Sequence, residues 1–183
     1  MNIEDVKKKY EAKGYRFFEN GDYNLNLFSE RSGNSITNKF DDVVGLAYKV
    51  GGKWIVKTWK ATTDPGFHYN QKHLSSKGVA ILQAGQWKYQ IGLHNGKPAM
   101  VQADKVTVWR DANKDLTIDK KVSESGWFGI NIHRAGINST NIDRWSAGCT
   151  VFANENDFIE FMDIINKSAK IYGSKFTYTV FEK

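Results

Sequence analysis

Apolar and polar positions alternate with period two over most of this chain, in short runs broken by glycine and asparagine. A helical period appears near the two ends only. Ile3, Val6 and Tyr10 recur at helical spacing while Lys7, Lys8, Lys9 and Lys13 occupy the other faces. Residues 3–13 therefore read as a short amphipathic helix that Gly14 ends, its lysines a solvated face. Residues 15–31 alternate around Asn20-Gly21-Asp22, a hairpin signal, and the polar stretch 32–39 reads as a loop. Residues 40–50 and 53–60 flank Gly51-Gly52 as a second hairpin. Pro65 takes a corner position in Thr62-Thr63-Asp64-Pro65-Gly66. Short strands are predicted at 79–82, 87–93, 99–102 and 105–110, with a tight turn at His94-Asn95-Gly96.

The clearest helix covers residues 154–172. Phe158, Phe161, Met162, Ile165 and Ala169 form its apolar stripe, Asn154 or Asn156 can cap it, and Gly173 can close it. Residues 175–181 alternate again as a final strand. Strands punctuated roughly every eight to twelve residues imply a barrel or sandwich-like core. The fold class is α+β, mainly β, with an N-terminal and a C-terminal helix.

Composition narrows this further. With 183 residues, 40% of them hydrophobic, one domain spanning residues 1–183 can bury a substantial core. Six tryptophans and the absence of low-complexity stretches argue against disorder. The formal charge is +6, but the basic residues are scattered without a stripe or a nucleic-acid module, so no nucleic-acid partner is expected. Scattered positive charge also suits attraction to an anionic cell wall. No stretch is apolar enough to span a membrane, and a monomer is expected.

The chain has a single cysteine, Cys149, so an intramolecular disulfide is excluded. It lies in Trp145-Ser146-Ala147-Gly148-Cys149-Thr150, sixteen positions after His133. A lone thiol is most often a small buried hydrophobe. Small neighbours and a base a short connection away are instead what nucleophilic attack on a carbonyl requires. Ala147 and Gly148 leave room for substrate, and backbone N–H groups near Gly148 and Cys149 could face a developing oxyanion. Such an activated thiol should label faster than free cysteine. Residues 128–133 alternate, placing Ile130 and Ile132 on one face and Asn131 and His133 on the other. Asn131, Asp143 or a backbone carbonyl could orient the imidazole. His68, His73 and His94 fall in turn-like contexts and read as surface or structural residues, without metal spacing.

The segment from His133 to Cys149 resembles the signature of the L,D-transpeptidases, a histidine followed after about fifteen residues by Ser/Thr-His-Gly-Cys. His133, Ser146, Gly148 and Cys149 match it. Ala147 stands where the family has histidine, and Val151 where Arg or Asn commonly follows. The resemblance implies a β-sandwich or barrel catalytic domain acting on peptidoglycan stem peptides. Cys149 would be the nucleophile, His133 the base, and a thioester would pass to water or to an amine, with no cofactor required. Arg134 and Arg144 could clamp a substrate carboxylate, and Trp145 could line a groove. Two other readings stand beside this one: a catalytically drifted virion or interaction protein on the same fold, and a cysteine hydrolase of another cell-envelope amide. The opening Met1-Asn2-Ile3-Glu4-Asp5 has no signal-peptide character. Cytoplasmic synthesis with release by lysis or an injector, or packaging in a phage particle, is then the expected route to a wall.

A last motif is acidic. Asp111, Asn113, Asp115, Thr117 and Asp119 place oxygens at positions 1, 3, 5, 7 and 9 of a calcium-type loop. Leu116 replaces the usual glycine, Val122 stands where a bidentate Glu belongs, and Glu124 comes two residues late. The motif reads either as a structural calcium site or as an Asp/Asn-rich turn.

Overall fold

A computed structural model describes residues 1–33, 38–115 and 117–182. Eight strands close a barrel and three more form a separate small sheet. In chain order the elements are α1 (Ile3–Ala12), β1 (Asn26–Glu30), β2 (Asp42–Val50), β3 (Lys53–Thr62), α2 (Phe67–Gln71), β4 (Val79–Leu82) and β5 (Gly85–His94). There follow β6 (Lys97–Gln102), β7 (Val106–Asp111), β8 (Val122–Gly126), β9 (Ile132–Arg134), β10 (Thr150–Phe152), α3 (Glu155–Tyr172) and β11 (Lys175–Phe181). The barrel runs β1-β11-β5-β6-β9-β10-β3-β2 and the small sheet β4-β7-β8. The mainly β class and the helices near both ends agree with the periodicity. Among the described residues no helix is long and apolar enough to cross a membrane.

Local chemistry accounts for most boundaries. Asn2 and Asp5 form a reciprocal capping box at the start of α1. The Asn154 side chain accepts the amides of Asn156 and Asp157 at the start of α3. Phe158, Phe161, Met162 and Ile165 of α3 then pack with Phe152, Ile132 and Tyr178 in the main core. Val6 and Tyr10 of α1 close another part of the barrel against Phe28 and Phe181.

Two expectations need correction. Asn20-Gly21-Asp22 does not turn a hairpin, because Asp22 is recruited elsewhere. Its carboxylate accepts the Gly51 and Gly52 amides at 2.5 and 3.0 Å, bracing the β2–β3 turn. The strand that follows, β1, pairs with β2 and, in parallel, with β11. The alternation over 128–133 also yields only the short β9, which pairs in parallel with β10. Strand β10 starts directly after Cys149, and polar β8 (Val-Ser-Glu-Ser-Gly) has too weak a β pattern to read from sequence. Of the polar stretch 32–39, residues 34–37 lie outside the described residues.

Candidate active site

Parallel pairing of β9 and β10 sets Val151 beside His133 and Thr150 beside Ile132, bringing Cys149 and His133 to one end of adjacent strands. Hydroxyls inside the barrel hold this register. Tyr89 Oη donates to the Ile130 carbonyl at 2.8 Å. Tyr178 Oη lies 2.8 Å from both Thr150 Oγ1 and Ser29 Oγ, and all three are buried.

The loop that presents Cys149 is pinned from several sides. Ser146 Oγ donates to the Cys149 carbonyl at 2.9 Å and accepts the Gly148 amide at 3.0 Å. Gly148 has φ +134°, and a Cβ there would meet the Ala80 carbonyl oxygen at 2.0 Å, so only glycine fits against β4. The Gly66 amide donates to the Ser146 carbonyl at 2.8 Å, and Asn38 Oδ1 accepts the Asp143 amide at 2.7 Å. Ser146 and Gly148 therefore shape the turn that carries Cys149. Of the two N–H groups expected near an oxyanion, that of Gly148 is taken by Ser146 Oγ. The amide of Cys149 itself has no hydrogen-bond partner among the described residues.

Cys149 is 9% exposed and His133 7%. The sulfur accepts the Asn131 amide at 3.4 Å, and the thiol faces the Gly129 carbonyl at 3.6 Å. Burial pushes the thiol up from 9.0 to about 11, partly offset by that Asn131 N–H. Burial likewise pulls His133 down from 6.5 to about 4, against the Arg134 carbonyl, which raises it. The resting pair is a neutral thiol beside a neutral imidazole. His133 Nδ1 sits 3.0 Å from the Arg134 carbonyl oxygen. A carbonyl can only accept, so Nδ1 carries the proton and Nε2 keeps its lone pair. That Nε2 is buried without a partner. The orienting group is thus a backbone carbonyl. Asn131 turns to other partners, and the Asp143 carboxylate binds Asn38.

His94 is the residue the sequence reading misses. It ends β5 at a two-residue Asn95-Gly96 turn whose φ values are both positive, the geometry that tight hairpins favour. Strand β6 neighbours β9, and this lays the His94 ring on His133 with centroids 4.1 Å apart and planes 6° apart. Ring nitrogens of His94 and His133 and the Cys149 sulfur all lie within 4.8 Å of one another. This is the one such cluster of metal-capable side chains among the described residues. Lone pairs lie in the ring planes, however, and two parallel planes about 4 Å apart aim them side by side rather than at one shared ion. The arrangement suits proton transfer and hydrogen bonding better than coordination. His68 and His73 lie outside the cluster.

A cavity of about 960 Å³ opens over the pair, lined on its apolar side by Tyr69, Leu74, Phe128, Trp145 and Ile159. Trp145 is half exposed here, as a groove-lining residue would be. Arg134 lines the cavity but is held by Glu155 at 2.8 Å and by the Ala135 carbonyl. Arg144 and Lys97 line it with no ion pair among the described residues, against a single lining carboxylate, Asp163. Arg144 is therefore the guanidinium of the two that is left unpaired at the cavity. Ala147 lines the cavity, whereas Val151 packs beside Cys149 in a small core with Phe40 and Ile142.

The acidic loop lies elsewhere. Asp111, Asn113 and Asp115 each accept an amide two residues ahead, at 3.2, 3.1 and 2.7 Å. Asp111 also accepts the Asp119 amide at 3.0 Å, and Asp119 pairs with Lys121. Glu124 is held by Lys77 and Arg110, away from the loop. Thr117 adds its amide to this chain of turns, and Leu116 lies outside the described residues. Comparison with models of known protein families, with curated proteins and with solved structures finds no match to this chain.

Proposed function

We propose that this protein is a cysteine-dependent acyl-transfer enzyme of the L,D-transpeptidase type, acting on peptidoglycan stem peptides. One observation carries the chemistry: a lone thiol within 4.8 Å of a histidine whose free lone pair is fixed by a backbone carbonyl, at the floor of a 960 Å³ cavity. The motif from His133 to Cys149 supplies the substrate class. As the C–S bond forms at a peptide carbonyl, the thiol proton moves to His133 Nε2. Collapse of the tetrahedral intermediate breaks the C–N bond, and His133 returns that proton to the departing amine. The thioester on Cys149 then passes to water, releasing a shortened peptide, or to a second amine, forming a cross-link. Arg144 offers the guanidinium for a stem-peptide carboxylate, and the apolar wall takes the peptide's aliphatic face.

A second reading, a drifted binding protein on this fold, draws support from the raised thiol and the occupied Gly148 amide. Incubation of the protein with purified muropeptides, followed by mass spectrometry, separates the two. Shortened or cross-linked peptides, absent with Cys149→Ala, support the enzyme. Unchanged muropeptides that nevertheless co-elute with the protein support the binding module.

A further inference from the structure

We propose that His94 is a further catalytic residue, its Nε2–H donating to the oxyanion that forms when Cys149 attacks a carbonyl. This deepens the acyl-transfer reading of the same site and rests on it.

The tautomer follows from three hydrogen bonds. Asn131 Oδ1 accepts the Gln102 amide at 3.3 Å, and a backbone N–H can only donate. The Asn131 amide is therefore oriented with its NH2 toward His94, and Nδ2 lies 3.0 Å from His94 Nδ1. An NH2 group donates, so Nδ1 accepts and the neutral ring carries its proton on Nε2. His133 has the opposite tautomer, protonated on Nδ1. The two stacked rings divide the work: His133 presents a lone pair to take the thiol proton, and His94 presents an N–H to bind an anion.

The positions agree with that division. In a tetrahedral thiol adduct the oxyanion lies about 2.7 Å from sulfur, and a donor stands about 3 Å from the oxyanion. A donor to that oxyanion must therefore lie within about 5.7 Å of sulfur, and a ring nitrogen of His94 lies within 4.8 Å of it. The site also lacks the donor that its motif would supply, because the Gly148 N–H is spent on Ser146. With the Cys149 amide, His94 completes a pair of donors. His94 is partly buried and lines the cavity, so substrate can touch it.

Two reagents separate an oxyanion donor from a residue that only props up His133. Acylation of Cys149 by 4-nitrophenyl acetate passes through an oxyanion and expels 4-nitrophenolate. Alkylation by iodoacetamide displaces iodide with no oxyanion. His94→Phe keeps a flat ring on His133 and removes the N–H, while His94→Gln restores an N–H near the same place. We expect His94→Phe to slow acylation about a hundredfold, the scale of one lost oxyanion donor, and to leave alkylation within about twofold. His94→Gln should recover acylation to within about tenfold of the parent. Equal losses in both reactions, or no loss in acylation, would overturn the proposal. Should the Phe variant fail to fold, His94→Leu is read in its place. The ester is no wall peptide, so inactivity on muropeptides with the ester result intact would remove the substrate assignment and leave His94 its role.

Discussion

Raising the pH in the presence of iodoacetamide titrates one group in this protein, because Cys149 is the sole cysteine. Burial holds that thiol at about 11 instead of 9.0. Two units lower the thiolate fraction at neutral pH about a hundredfold relative to an ordinary cysteine. The more basic thiolate is also the better nucleophile, and a Brønsted slope of about 0.4–0.5 returns a factor of about six to ten. The net expectation is labelling about ten- to fifteenfold slower than free cysteine at pH 7. His133, held near 4, is neutral there and supplies no imidazolium to stabilise the thiolate. The rate, read by mass spectrometry on the Cys149 peptide, should climb about tenfold per pH unit toward 11. A flat profile above pH 6 with a rate exceeding free cysteine would refute this reasoning, since it would show a thiolate–imidazolium pair at rest.

Other expectations concern stability. His133 is depressed from 6.5 to about 4, so the unfolded chain binds its proton first and stability is lost as pH falls through that window. The shift corresponds to about 3 kcal/mol, and denaturant melts of His133→Gln against the parent should differ in acid slope by that order; parallel slopes would contradict it. Asp64 has the opposite sign: burial and neighbouring Asp42 raise it from 3.8 to about 7, so stability is lost as pH rises through 7. Asp64→Asn should therefore stabilise most above pH 7 and do little below pH 4, and destabilisation at pH 8 would instead mean a favourable ionised pair with Arg31. Gly148→Ala forces a Cβ onto the Ala80 carbonyl and should cost about 2–4 kcal/mol in denaturant melts and displace Cys149; an unperturbed melt would show that the turn can relax. Millimolar calcium against chelator should leave the melting temperature unchanged, given the amides and Lys121 already on the acidic loop, and a rise would reinstate a cation there.

Helices α1 and α3 and most barrel strands are legible in the sequence because each rests on local signals: the capping asparagines, the glycine turns, and period-two runs long enough to read; the five-residue α2, without a capping side chain, is not. Strand β10 is not legible, since its three residues gain their partners from β3 and β9. The same distinction runs through the site. Cys149 and His133 stand out by spacing along the chain. His94 has no such mark, because barrel closure alone carries the β5–β6 hairpin beside β9. The motif by itself predicts a thiol more reactive than free cysteine, whereas the burial of Cys149 argues for the opposite. Residue type also failed to separate the two arginines, whereas Glu155 does so by occupying Arg134.

The claim that Cys149 forms an acyl-enzyme on a stem peptide is tested most directly by trapping it. The protein is mixed with a purified muropeptide, quenched in acid within the first turnovers, digested and read by mass spectrometry. The account predicts a thioester adduct of the peptide's acyl portion on the Cys149 fragment, absent in Cys149→Ala and sharply reduced in His133→Gln. Muropeptide turnover that persists in Cys149→Ala, or an adduct on any other residue, would contradict it.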